Sequence, residues 1–336
     1  MPKVLTVVVP TYNMEPFLDS CLSSFVLDEK YMDMLEILIV NDGSKDRSLE
    51  IGLGFETRFP GTYRVIDKTN GNYGSCINRG LAEATGKYFR ILDADDWFDK
   101  NALARFLDIL AHCDSDLIIT PFNFRADRTE LFTFSKSVIL NEALPIETVS
   151  PDDIVHRMHS MTFSLDILKS VRLHLSEGVS YTDTEYCFFP LPSVKTILFI
   201  DECVYQYNAQ REGQTCSPDA MVRSTRSMFV VTKRLLQAYL ESNLHVQTVA
   251  GEIQRRLLVQ ITQMYYETSL LFCSSEDDPN LKEVDGLVRR IPFLDMILDK
   301  RCRHHIHYVR MWRKSGKRYS SSRFCQFHDS IWEKKH

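Results

Sequence analysis

The chain has 336 residues, 44% of them hydrophobic and 25% charged, with a formal net charge of −5 at pH 7. That length admits two domains and a sizeable core, and the composition excludes a disordered, collagen-like or disulfide-stapled chain. No run approaches the roughly 18 apolar residues of a membrane-spanning helix.

Residues 4–9 form a β-branched run expected of a strand buried on both faces, and Pro10-Thr11-Tyr12-Asn13 ends it. This six-residue apolar run is too short for a signal peptide. Residues 15–27 place Phe17, Leu18, Cys21, Leu22 and Phe25 at helical spacing. A second buried strand over 35–40 stops at Asn41-Asp42-Gly43-Ser44, which also reads as a turn and helix cap. A helix over 46–59 and a third strand over 63–67 follow. Next comes Lys68-Thr69-Asn70-Gly71-Asn72-Tyr73-Gly74-Ser75, rich in Gly and Asn, before a helix ending near Thr85-Gly86.

A fourth apolar run then stops at Asp93-Ala94-Asp95-Asp96. Strands alternating with helices argue for a parallel, doubly wound sheet. Ligands bind beyond the carboxyl ends of such strands, where three polar clusters converge. The carboxylates after the fourth strand suit a hard divalent cation bridging to phosphate. The plainer reading is a turn in which Asp96 or Asp99 caps the next helix. Dinucleotide binding is disfavoured, because the first turn lacks Gly-x-Gly-x-x-Gly, and no Gly-Lys-Ser/Thr phosphate loop is present.

Taken together, these motifs resemble the nucleotide-sugar domain of the family 2 glycosyltransferases, which have a GT-A fold. Four segments carry the resemblance: Pro10-Thr11-Tyr12-Asn13; Asn41-Asp42-Gly43-Ser44; Lys68 through Asn78-Arg79-Gly80; and Leu92-Asp93-Ala94-Asp95-Asp96-Trp97. The implied architecture is α/β, a Rossmann-like, mostly parallel sheet over residues 1–217, with a donor half to about residue 120 and an acceptor half from 121 to 217. A helical region, 218–336, would follow. The resemblance implies donor contacts from Pro10, Thr11, Tyr12 and Asn13, with Asp42 on a uracil edge. It gives ribose contact to Asp93, beside Ala94, and metal coordination to Asp95, with Mn²⁺ or Mg²⁺ as cofactor. Lys68, Asn72, Gly74 and Asn78 are further donor-site candidates, although Ile77 stands where many relatives have Arg. Asn72 and Gly74 also fit ordinary turn chemistry.

Beyond the donor half, a helix over 101–110 and a strand over 117–120 precede an antiparallel hairpin around Ala126-Asp127-Arg128. His156 and His159 share a helical spacing and read as surface or packing residues. Residues 177–185 end in Thr182-Asp183-Thr184-Glu185. Inverting transfer needs a carboxylate to take the acceptor's proton; the resemblance gives that role to Asp183, with Glu185 in reserve. Relatives carry Glu where this chain has Thr182. The same residues read as a capping box. After two short strands over 195–200 and 202–207, Arg211 matches an arginine that holds the donor diphosphate in relatives, or is a plain loop arginine.

From residue 218 onward the pattern is helical, over 223–240, 246–272 and 281–298. Residues 301–336 carry ten Lys/Arg against two Asp/Glu. The stretch 306–312 with Arg313, Lys314, Lys317 and Arg318 reads either as a peripheral contact with an anionic membrane or as a solvated tail. Nine scattered cysteines without a Cys-x-x-Cys pair point to a reducing cytoplasm and no structural zinc. No nucleic-acid recognition module accompanies the basic end; self-association stays open. The expected activity is inverting, metal-dependent hexosyl transfer from a nucleotide sugar, a UDP-sugar first, to a cell-surface polysaccharide or lipid-linked glycan. Alternatives are a silent scaffold with the same fold and a sugar nucleotidyltransferase.

Overall fold

The computed structural model describes residues 2–124, 131–135, 137–208, 218–242, 247–272, 278–301 and 307–315. The described residues divide into two compact units. The first draws on Met1–Gly178, Thr182–Arg211 and Thr248–Ile253, and the second on Val179–Tyr181, Glu212–Gln247 and Gln254–His336.

In the first unit, β1 (Leu5–Thr11) leads through α1 (Glu15–Ser23) and the short α2 (Glu29–Met32) to β2 (Leu35–Asn41). Then come α3 (Ser48–Arg58), β3 (Tyr63–Asp67), α4 (Asn72–Glu83) and β4 (Tyr88–Ile91). Strands β3, β2, β1 and β4 are neighbours in that order and all parallel. Every residue of β1 is buried, as its unbroken apolar run requires. Helix α4 lies close on this sheet because residue 80 is glycine: a Cβ there would come 2.4 Å from the Val8 side chain.

The chain continues through β5 (Trp97–Phe98), α5 (Lys100–Leu110), β6 (Leu117–Ile119), β7 (Phe122–Asn123), β8 (Leu131–Phe132), β9 (Ala143–Pro145) and β10 (Met161–Ser164). It ends in α6 (Leu165–Ser170), α7 (Asp183–Phe188), β11 (Thr196–Phe199) and β12 (Tyr205–Gln206). The large sheet has eight strands, ordered β3-β2-β1-β4-β10-β6-β11-β9. Strand β10 enters antiparallel to both β4 and β6. A second sheet, β5-β12-β7-β8, includes the expected hairpin as an antiparallel β7–β8 pair; its turn at 126–128 lies outside the described residues. This mostly parallel sheet with flanking helices is the GT-A-like architecture expected.

One buried side chain is unusual. Arg90 on β4 is fully buried and donates to Thr162 Oγ1 and Thr120 Oγ1, both at 3.1 Å, and to the His159 carbonyl at 2.5 Å. Its guanidinium also sits over the rings of Phe98 and Phe106. Burial lowers its pKa to about 10, so it keeps its charge at neutral pH and ties β4 to the turn that carries His159.

The second unit contains α8 (Pro218–Arg223), α9 (Thr225–Glu241), most of α10 (Val249–Glu267), α11 (Pro279–Val288), α12 (Pro292–Lys300) and α13 (Tyr308–Lys314). The apolar periodicity over 281–298 runs through two helices, not one. Pro292 disfavours helix at the residue before it and starts α12. Tyr308, Val309 and Trp312 of α13 are buried in the unit's own core, while Met311 is exposed. No helix among the described residues is long and apolar enough to cross a membrane.

Candidate active site

The polar clusters sit at the carboxyl ends of β1, β2 and β4. At the end of β1, Pro10 and Thr11 are buried, while Tyr12 just beyond it is 46% exposed. Asn13 has a φ of 53°, a left-handed conformation that asparagine tolerates. There its backbone N–H donates to Ser44 Oγ at 3.1 Å, and its Oδ1 accepts from Lys45 N–H at 2.7 Å. The first two motifs are thereby tied together.

Asp42 is 3% exposed. Its carboxylate accepts the backbone N–H groups of Gly71 at 2.9 Å and Asn72 at 2.8 Å, and pairs with Lys68. The Lys68 ammonium also donates to Thr69 O and Ser75 Oγ, both at 2.8 Å. All three ammonium donors are thus engaged within the protein. Asp42 and Lys68 therefore build the start of α4. Asn72, at φ 69°, opens that helix and accepts from Ser75 Oγ through its carbonyl.

Asn78 and Gly74 serve a different end. Asn78 Nδ2 donates to Leu175 O at 2.9 Å and Glu177 Oε1 at 2.9 Å, while Oδ1 accepts Leu175 N–H at 2.8 Å. A Cβ on Gly74 would lie 2.1 Å from Ser176 O. Both residues seat the 174–177 loop against α4. No other residue type fits at position 74 without moving backbone.

After β4, Asp93 to Asp96 form a turn closed by Asp96 N–H to Asp93 O at 3.0 Å. Asp93 accepts from Tyr73 Oη at 2.7 Å. Asp96 is 2% exposed and accepts from Tyr205 Oη at 2.5 Å and Asn208 N–H at 2.7 Å. Burial, then the charges of Asp93 and Asp95, push the Asp96 carboxyl well above its ordinary value. Ala94 is buried, and Asp95 is partly exposed on the same turn. Asp99, not Asp96, caps α5, through Ala102 N–H at 2.8 Å.

His159 lies on a turn, not on the helix face its spacing to His156 suggested. Its ring stacks on Phe122 at 5.2 Å and meets Tyr205 and Tyr207 edge-on. Ligand atoms of Asp93, Asp96 and His159 lie within 4.8 Å of one another. Burial, then the charges of Arg157 and Arg90, lower the His159 pKa to about 3, leaving it neutral. Asp95 is outside this convergent group, because the turn directs positions 93 and 96 inward. The oxygen-rich donor set around Asp93 and Asp95 nonetheless fits Mg²⁺ or Mn²⁺.

Asp183 opens α7. Burial raises its carboxyl above the ordinary range, against the lowering effect of the Thr184 backbone N–H and the Arg157 charge. Burial, then the charge of Asp93 and its hydrogen bond, raise the Tyr73 hydroxyl and hold it protonated, with the charges of Asp183 and Asp96 adding to the effect. Tyr73 is thus bonded to the β4 turn through Asp93 and lies within the field of Asp183. Glu185 is fully buried and accepts Ser176 N–H at 2.6 Å and Ser176 Oγ at 2.8 Å. It supports the 174–177 loop and does not complete a capping box, since Thr182 makes no side-chain cap bond. Arg211 lies outside the described residues. Tyr73, His159 and Arg157 are additions to the sequence reading, and of these only Tyr73 falls within a motif block.

Residues 6–162 match the model described as "Glycosyl transferase family 2". The chain is 27% identical over 219 residues to "Uncharacterized glycosyltransferase MG025 homolog" of Mycoplasma pneumoniae, covering 63% of this chain and 70% of the relative. It is 23% identical over 236 residues to "Minor teichoic acid biosynthesis protein GgaB" of Bacillus subtilis, covering 69% of this chain and 26% of that protein. Among solved structures, S. aureus TarS 1-349 in complex with UDP-GlcNAc superposes with a TM-score of 0.61 at 18% identity, covering 88% of this chain and 83% of that one. The last match is a likeness of fold.

Proposed function

The chain carries a glycosyl transferase family 2 domain over residues 6–162, and from that premise we propose that it is an inverting, divalent-cation-dependent enzyme. It moves a sugar from a nucleotide sugar, a UDP-sugar first, to a hydroxyl of a cell-surface polysaccharide or lipid-linked glycan. Residues 1–217 form the catalytic segment of this proposal and 218–336 a helical appendage. The TarS structure, which holds UDP-GlcNAc, supports the donor class, and the teichoic acid relative supports the acceptor class.

The observation that carries the reading is the Tyr73 hydroxyl, bonded to Asp93 at 2.7 Å and within the field of Asp183. A base is needed on the acceptor side and carboxylates on the donor side, and Tyr73 bears on both. In the proposed step the acceptor oxygen attacks the anomeric carbon and the bond from that carbon to the diphosphate breaks. The proton goes to Asp183, and the nucleoside diphosphate leaves. A divalent cation held at Asp95 would neutralise charge on the departing diphosphate. Asp93 meets the ribose, held in place by Tyr73. Thr182, the departure that favoured a silent scaffold, is fully buried, and the proposed step needs only the Asp183 carboxylate from this segment.

The test is Asp183→Asn. Transfer should fall by about 10² to 10⁴, while UDP-sugar affinity measured by calorimetry stays within about twofold of wild type. A variant that turns over at the wild-type rate contradicts the assignment.

A further inference from the structure

The second unit holds a cavity of about 490 Å³, which no part of the transfer chemistry uses. Its lining includes Arg289, Lys300, Arg310, Arg313 and Lys314 against only Asp295 and Asp299. A third carboxylate, Asp285, is fully buried. It accepts from Tyr266 Oη at 2.9 Å, Arg289 Nε at 3.0 Å and Arg313 Nε at 2.8 Å. Arg313 also pairs with Asp295 at 2.8 Å. Arg310 places Nε and Nη2 on Asp299 Oδ2 at 2.9 and 2.7 Å.

Each of these acids is engaged in an ion pair, and not all of the bases are. Arg313 is consumed, its side chain only 9% exposed. Arg289 and Arg310 keep 51% and 43% of their side chains exposed, and each commits only part of its guanidinium to the bonds above. Lys300 and Lys314 are exposed and make no hydrogen bond or ion pair among the described residues. Their places in the last turns of α12 and α13 suit the helix dipoles, which accounts for single cations but not for five around one cavity.

We propose that this cavity binds a phosphodiester group of an anionic glycan acceptor. Arginine forks and lysine ammonium groups match phosphate oxygens, and the volume is that of a small-ligand site. A membrane surface fits less well, because α13 turns Tyr308, Val309 and Trp312 inward and leaves only Met311 exposed among its large apolar side chains. The assignment rests on the acceptor class proposed above.

The experiment uses the full chain, a fluorescent short poly(glycerol phosphate) as probe, and anisotropy at low and moderate salt. Wild type should bind, more weakly as salt rises. The double variant Lys300→Gln/Lys314→Gln, which touches no internal bond, should bind at least fivefold more weakly while its UDP affinity is unchanged. Adding Arg289→Gln should weaken binding further. Absent probe binding, or equal binding by wild type and the double variant, overturns the site. Preference for phosphatidylglycerol vesicles over the probe overturns the glycan as occupant. UDP binding and donor turnover are read separately, so a failed pocket leaves the transferase reading standing.

Discussion

Replacing Gly74 with alanine tests how the base is held without touching any group that meets substrate. The added Cβ would lie 2.1 Å from Ser176 O and 3.3 Å from Leu175 Cβ, where ordinary contact begins near 3.4 Å. The 174–177 loop must therefore retreat from α4 by about 1 Å or more. That loop receives three hydrogen bonds with Asn78 at 2.8–2.9 Å. It is joined to Glu185, two residues beyond Asp183, through Ser176. Losing one of the Asn78 bonds costs about 1 kcal/mol, and overpacking itself costs about 1–3 kcal/mol. We expect Gly74→Ala to lower unfolding stability by about 2–3 kcal/mol in urea titration. Turnover of the folded fraction should drop by about 100-fold, since a misplacement of this size is enough to do so. Wild-type stability together with wild-type turnover would refute the claim that this loop seats the base.

Other expectations are as direct. Because burial raises the Asp183 carboxyl and only its ionised form accepts a proton, kcat/KM should fall as pH drops through a value above the ordinary aspartate 3.8; an acid limb at the ordinary value would contradict this. Tyr73→Phe removes the bond to Asp93 and should weaken UDP affinity by about tenfold, with little effect on a donor lacking the ribose hydroxyls; equal losses for both donors would count against a positioning role. Arg313→Ala strips the buried Asp285 of a partner and should cost about 3 kcal/mol in denaturant unfolding, whereas Asp285→Asn with Arg313→Met should recover part of that loss. A change under about 0.5 kcal/mol for Arg313→Ala would show that the pair contributes nothing to stability.

The strands were legible because they are buried on both faces: the run ending at Pro10 and, apart from Arg90, the run ending at Asp93 show it in largely apolar residues. Their polar ends were legible as a shared edge, since parallel pairing brings Thr11, Asn41 and the β4 turn to one side. What each polar residue does there was not. Asn78 and Glu185 look like candidates for ligand or base, yet their partners lie in the 174–177 loop, which has no periodicity to announce it. Asp42 and Lys68 are bonded to each other and to the start of α4. His159 reaches the site on a turn, where a spacing of three residues from His156 carries no information. In the second unit, apolar spacing on both sides of Pro292 concealed the break at which α12 starts. The inward face of α13 depends on Arg313 finding Asp285, a pairing across 28 residues that charge counting does not reveal.

The measurement closest to the central claim is nucleoside diphosphate release by the purified protein from a panel of nucleotide sugars, with Mn²⁺ or Mg²⁺ and a glycan acceptor extract. The account predicts release from a UDP-sugar, lost with EDTA, restored by the cation and absent in Asp95→Ala. Release that persists unchanged in EDTA and in Asp95→Ala, or a protein that binds none of the UDP-sugars by calorimetry, would contradict it.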